Sequence, residues 1–181
     1  MNIKSEEPLP YHARKMPAVL FAHGKESGPL GSKIVALAEV ANNYGYATKS
    51  PDFQGIDDPE ERVKLLLEEA TTMAGPFILV GSSMGGNVVL QASQELQTVG
   101  LFLMAPAVGI PGYREQHPQP GCDMVTIIHA WQDEIIPVNN VIDYAKRHHA
   151  ELHLVNSNHP LNGQVPFIKM LFSRFLGISN K

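Results

Sequence analysis

The chain has 181 residues and a mass of 19.8 kDa, 44% of them hydrophobic, which suits one domain able to bury a core without disulfides or a metal. With 14 Lys and Arg against 18 Asp and Glu, the formal charge is −4 and no long block of one sign occurs, which argues against a nucleic-acid partner. The single cysteine, Cys122, excludes an internal disulfide and fits a reducing compartment.

Residues 1–16 read as a polar leader and 17–181 as a single domain. The leader carries charge and proline where a signal peptide needs an unbroken apolar core, and no run approaches the roughly 18 apolar residues of a membrane span. A cytoplasmic protein without a membrane partner is expected. The apolar run AVLFA at 18–22 predicts a buried strand ending at His23 and Gly24, and Ser32 is a candidate N-cap for a helix over 33–44, stopped by Gly45. Residues 46–53 predict a weaker strand. Asp57 or Asp58 then caps a helix with Pro59 in its first turn and Val63, Leu66, Leu67 and Ala70 on one face, leaving its Glu and Lys residues to solvent.

A third strand over 77–80 runs into Gly81, Ser82, Ser83, Met84, Gly85 and Gly86, then into a helix continuing through Val88, Val89, Ala92 and Leu96. Strands follow at 99–104, 124–129 and 152–155, with a proline-rich loop at 105–121, a helix from Pro137 to about His149, and a closing helix over 165–176. Six continuous apolar strands alternating with helices predict an α/β fold with a mostly parallel six-stranded sheet between helical layers. In such a sheet the binding crevice lies beyond the carboxyl ends of the strands.

Gly81, Ser83 and Gly85 form G-x-S-x-G where a strand must reverse into a helix. A serine on so tight a turn is held out above the sheet edge, and side chains two residues before or after it would collide with the neighbouring strand and helix. Ser83 needs a base to take its proton and an acid to orient that base. Asp133 follows the fifth strand and His159 the sixth, in the chain order Ser, acid, His. Glu134 is an alternative acid, although Ile135, Ile136 and Pro137 open the next helix and put Asp133 at the strand end. Ser82 lacks the glycines at both two-residue offsets. His129 reads as a packed strand-end residue, and Cys122 as structural filler. His148, His149 and His153 lack a completing ligand set for a metal, and the glycine-rich 24–33 segment lacks the ending of a phosphate loop, so no cofactor is expected.

Together, Gly81 to Gly85, Asp133 in WQDEIIP, His159 in SNHPL and the early strand ending at His23 and Gly24 resemble the α/β-hydrolase superfamily, over nearly the whole chain from Ala18. The small size and the GSSMGG turn are most similar to its small lidless esterase-like branch, the YqiA-type bacterial proteins. The resemblance implies a minimal α/β-hydrolase fold, a three-layer sandwich without a cap domain. There is little room before Met16 for the antiparallel strands that open most members. It further implies that Ser83 attacks a carbonyl carbon, His159 relays the proton and Asp133 fixes the imidazole, with backbone N–H groups of Lys25 and Met84 as oxyanion donors. His23 and Gly24 would border the substrate, His23 by shaping the loop that presents Lys25. The expected partner is a small acyl substrate, an ester or thioester. An amide, and a non-catalytic binding protein on the same scaffold, are the alternatives.

Overall fold

The computed structural model describes residues 16–179, with side chains through residue 177. All of the polar leader except Met16 therefore lies outside the described residues. The elements are β1 (Ala18–Ala22), α1 (Ser32–Asn43), β2 (Thr48–Lys49), α2 (Pro59–Ala70), β3 (Phe77–Ser82), α3 (Met84–Ala92), β4 (Thr98–Met104), β5 (Val125–Ala130), α4 (Val138–His148), β6 (Glu151–Val155) and α5 (Val165–Ser179), with a 3-10 turn at Asn162–Gln164. The strands form one sheet in the order β2-β1-β3-β4-β5-β6, and every pair is parallel.

Because successive strand residues point to opposite faces, the central strands fill two cores at once. Leu20, Leu79, Leu101, Leu103 and Ile127 pack with Val63 and Leu66 of α2, Val88 of α3 and Val141 of α4. Phe21, Ile78, Val80, Phe102 and Ile128 point the other way, onto Ile34 and Leu37 of α1 and Ile168 and Phe172 of α5. The chain leaves β1 towards one edge of the sheet and β3 towards the other. The loops after these two strands therefore part and leave a crevice at their carboxyl ends.

Local signals account for most element ends. Asp58 caps α2 by accepting from the Glu60 N–H at 2.9 Å, with Pro59 in the first turn. Several boundaries differ from the sequence reading, and three of them bear on how the chain packs. The strand expected over 46–53 is only Thr48–Lys49, because past it the Phe53 N–H goes to the ring of His23 at 2.9 Å instead of to a neighbouring strand. Ser32 is the first residue of α1 and not its cap; Gly31 stands at the cap without a side-chain bond. Helix α3 stops at Ala92, short of Leu96: the Ser93 hydroxyl donates back to Leu90 O at 2.6 Å and accepts from the Gly121 N–H at 2.8 Å, which brings loop 105–121 onto the helix end.

Candidate active site

The turn between β3 and α3 forces Ser83 into a left-handed backbone conformation, φ 55° and ψ −119°. Such strain persists only when the surroundings over-determine it. Here the Ser83 N–H donates to Met104 O at 2.9 Å, and its carbonyl accepts from Gly86 N at 2.9 Å and Ala107 N at 3.0 Å. The flanking glycines are required by close approach. A Cβ on Gly81 would overlap the Gly85 carbonyl oxygen and reach 2.6 Å from Gly86 Cα, and one on Gly85 would overlap the Ala22 carbonyl. A Cβ on Gly86 would stand 2.8 Å from Pro106.

Ser83 Oγ lies 2.9 Å from His159 Nε2, and His159 Nδ1 lies 2.7 Å from Asp133 Oδ2. A carboxylate can only accept, so Nδ1 carries the proton and Nε2 is left to accept from the serine hydroxyl. The other Asp133 oxygen accepts from the N–H groups of Ile135 at 2.9 Å and Ile136 at 2.8 Å, at the start of the turn into α4. Burial alone would raise the Asp133 carboxyl, but the bonds from His159, Ile136 and Ile135 outweigh it and hold the group below its ordinary pKa. Asp133 is thus the residue joined to the imidazole, and Glu134 is not. Ser82 lines the same cavity, but it is Ser83 that meets the ring.

The pair Ser83 and His159 opens into a cavity of about 560 Å³. On the β4–β5 side its lining is apolar, from Ala107, Ile110, Tyr113, Ile135 and Ile136; on the β1–α1 side Gly24, Lys25, Glu26 and Lys33 contribute. Gly24 passes so near the turn that a Cβ there would sit 3.3 Å from Ser83 Cβ. The Lys25 N–H has no hydrogen-bond acceptor among the described residues, and Met84 opens α3, where the first N–H groups lack helical partners. His23 does not border the cavity and is fully buried, which corrects its assignment to substrate contact. Phe53 N–H donates to its Nε2, so Nδ1 holds the proton and donates to Gly24 O at 2.7 Å. The ring shapes the loop instead.

No protein-family model matches this chain, and no curated protein matches it significantly. Among solved structures, a Xanthomonas campestris protein assigned to the hydrolases of the α/β superfamily is 34% identical, with a TM-score of 0.82 over 90% of this chain and 99% of its own. The chain belongs to the α/β hydrolase superfamily. Est1E from Butyrivibrio proteoclasticus (17% identity, TM-score 0.74, 91% and 88% of the two chains) shares the fold. So does a lidless α/β serine hydrolase from Xanthomonas campestris (16% identity, TM-score 0.67, 88% and 81%). The architecture is a minimal α/β hydrolase fold without a cap.

Two features of this α/β hydrolase are absent from the sequence reading. Arg62, 1% exposed, lies under the loop after β1: its Nε donates to Ile56 O at 2.6 Å and its Nη1 to His23 O at 3.2 Å, with the guanidinium 5.5 Å from the Phe53 ring centre. Its signal was periodic, since position 62 shares a helix face with Pro59 and Leu66. Asn87, fully buried on α3, donates to Ala107 O at 3.1 Å and Glu115 O at 2.9 Å, and Tyr144 donates to Pro118 O at 2.6 Å. Side chains of two helices therefore pin loop 105–121 as a fixed wall. His129 packs behind the acid, with Nε2 donating to Ile136 O at 3.1 Å and 3.6 Å from Asp133 Oδ2. Burial pushes the Cys122 thiol up to about 11, unsuited to a thiolate nucleophile. Among the described residues no three of His, Cys, Asp and Glu group closely enough to hold a metal ion, and no helix is long and apolar enough to cross a membrane.

Proposed function

We propose that this α/β hydrolase is a serine hydrolase that cleaves small carboxylic esters or thioesters through an acyl-enzyme. The observation that carries the reading is the continuous line from Ser83 Oγ through His159 to Asp133, with the serine on a strained turn that lines the cavity. His159 takes the serine proton as Ser83 Oγ bonds to the carbonyl carbon, and Asp133 stabilises the imidazolium that forms. The same proton then passes from Nε2 to the leaving oxygen or sulfur, and water repeats the sequence on the acyl-enzyme. The N–H groups of Lys25 and Met84 stabilise the oxyanion, aided by the positive end of α3. The cavity volume, the missing cap and the pinned 105–121 wall support short acyl groups.

The test is labelling by a fluorophosphonate together with turnover of short-chain p-nitrophenyl esters and their thioester counterparts. Stoichiometric labelling that requires Ser83, with faster turnover of acetyl to pentanoyl than of long-chain esters, is expected. A folded protein that is neither labelled nor active overturns the reading.

A further inference from the structure

The two sides of the cavity differ in chemistry. Next to the apolar β4–β5 side, the β1–α1 side holds Lys33, a half-buried lysine in the first turn of α1. Its Nζ donates to the carbonyl of Pro160, the residue after His159, at 2.6 Å. A carbonyl uses one of three ammonium donors and supplies no full charge. No carboxylate among the described residues lies within ion-pair distance of it, whereas Lys25 is paired with Asp57 at 3.3 Å and Lys169 with Glu39 at 3.0 Å. Glu26 lines the same side, but it is exposed on the loop and forms no ion pair with Lys33. Burial holds the Lys33 amine below its ordinary pKa. A cation that has lost solvent and has no counter-ion gains most from an anion brought by a ligand.

We infer that Lys33 is an anion subsite of this cavity and that the substrate is an ester or thioester with a carboxylate on the arm lying over β1 and α1, its other arm being apolar. The inference rests on the hydrolase reading for the bond cleaved, but the subsite itself can be tested by binding. Ser83 stands between the two sides, so either the acyl or the alcohol portion could carry the charge, and paired probes separate these cases.

The first pair is mono-p-nitrophenyl glutarate against p-nitrophenyl pentanoate, with the charge on the acyl side; the second is 4-carboxyphenyl against phenyl pentanoate, with the charge on the leaving group. Each is measured with wild type, Lys33→Met and Lys33→Arg. For one pair the anionic ester should exceed its neutral partner in kcat/KM by about tenfold at low salt, a preference that salt weakens. Lys33→Met should bring that ratio close to one and Lys33→Arg should restore part of it. Ratios equal in wild type and Lys33→Met overturn the subsite even though hydrolysis continues. If none of the four esters is cleaved and the fluorophosphonate does not label Ser83, the hydrolase reading fails instead. Calorimetry of monomethyl glutarate against methyl pentanoate then decides the subsite: binding of the acid lost in Lys33→Met supports it, and equal or absent binding overturns it.

Discussion

His159 Nε2 stands 2.9 Å from Ser83 Oγ although 76 positions separate the two residues. The β3–α3 turn presents one partner and the loop after β6 the other. Replacing Ser83 by Ala is predicted to abolish fluorophosphonate labelling and to lower kcat by at least roughly 10³-fold, and Asp133→Asn by roughly 10⁴-fold, because the amide favours the wrong imidazole tautomer. Single-turnover rates on a short p-nitrophenyl ester measure both. An Asp133→Asn enzyme within tenfold of wild type would contradict the role given to this carboxylate.

A glycine at the β3–α3 turn and one in α5 should be unequal in their tolerance of a methyl group. Gly85→Ala pushes a Cβ into the Ala22 backbone, and we expect a loss of about 1–3 kcal/mol or more, since a backbone carbonyl cannot rotate aside. At Gly177, within α5, an added Cβ meets nothing within 4 Å, and Ala there should stabilise by about 0.5–1 kcal/mol. Thermal melts of both variants check the contrast; equal Tm shifts would count against the packing argument.

Arg62 offers a test of the loop that carries Lys25. Arg62→Met would leave the buried carbonyl of His23 without its donor, at about 1–3 kcal/mol, and the part-buried carbonyl of Ile56 without its own at a smaller cost. The prediction is a lower Tm and a fall in kcat of tenfold or more, with a smaller change in KM and partial recovery in Arg62→Lys. A folded Arg62→Met protein with unchanged kcat would show that the guanidinium does not position this loop for the reaction.

Acid should weaken the fold in two stages. Burial, with the charge of Arg62 adding to it, holds the His23 imidazole below its ordinary value, against the bond to Gly24. Burial likewise lowers His129, against the nearby Asp133. For a group depressed in the folded state the unfolded chain binds the proton first, so stability rises with pH. These contributions are complete above about pH 7 and are lost as pH falls from the ordinary histidine value near 6.5 through the folded values. Asp133, depressed by its hydrogen bonds, adds a second loss below about pH 4. We predict a Tm that drops between about pH 7.5 and 5.5 and drops again towards pH 3. A Tm constant from pH 7.5 to 5.5 would refute the first stage, and nitrogen NMR of His23 should find a neutral ring protonated at Nδ1.

Much of this molecule was legible along the chain because its signals are local. Continuous apolar runs identify strands buried on both faces, as at Ala18–Ala22 and Leu101 to Met104, and the spacing of Gly81, Ser83 and Gly85 marks a turn that only small neighbours allow. The order of Ser83, Asp133 and His159 follows from their places at strand ends, which a parallel sheet gathers on one edge. Contacts between distant segments were not legible. His23 proved to be a buried brace because Phe53, 30 residues on, gives it a hydrogen bond, and that same bond ends β2 early. Arg62 drew no reading from the sequence, because only the fold lays the loop after β1 over its guanidinium. Lys33 lacks an ion-pair partner among the described residues only because Pro160 meets it with a carbonyl and not a carboxylate. Periodicity and turn chemistry act over a few residues and can be read in order, whereas burial and charge depend on which remote groups share a space, and the tertiary structure alone decides that.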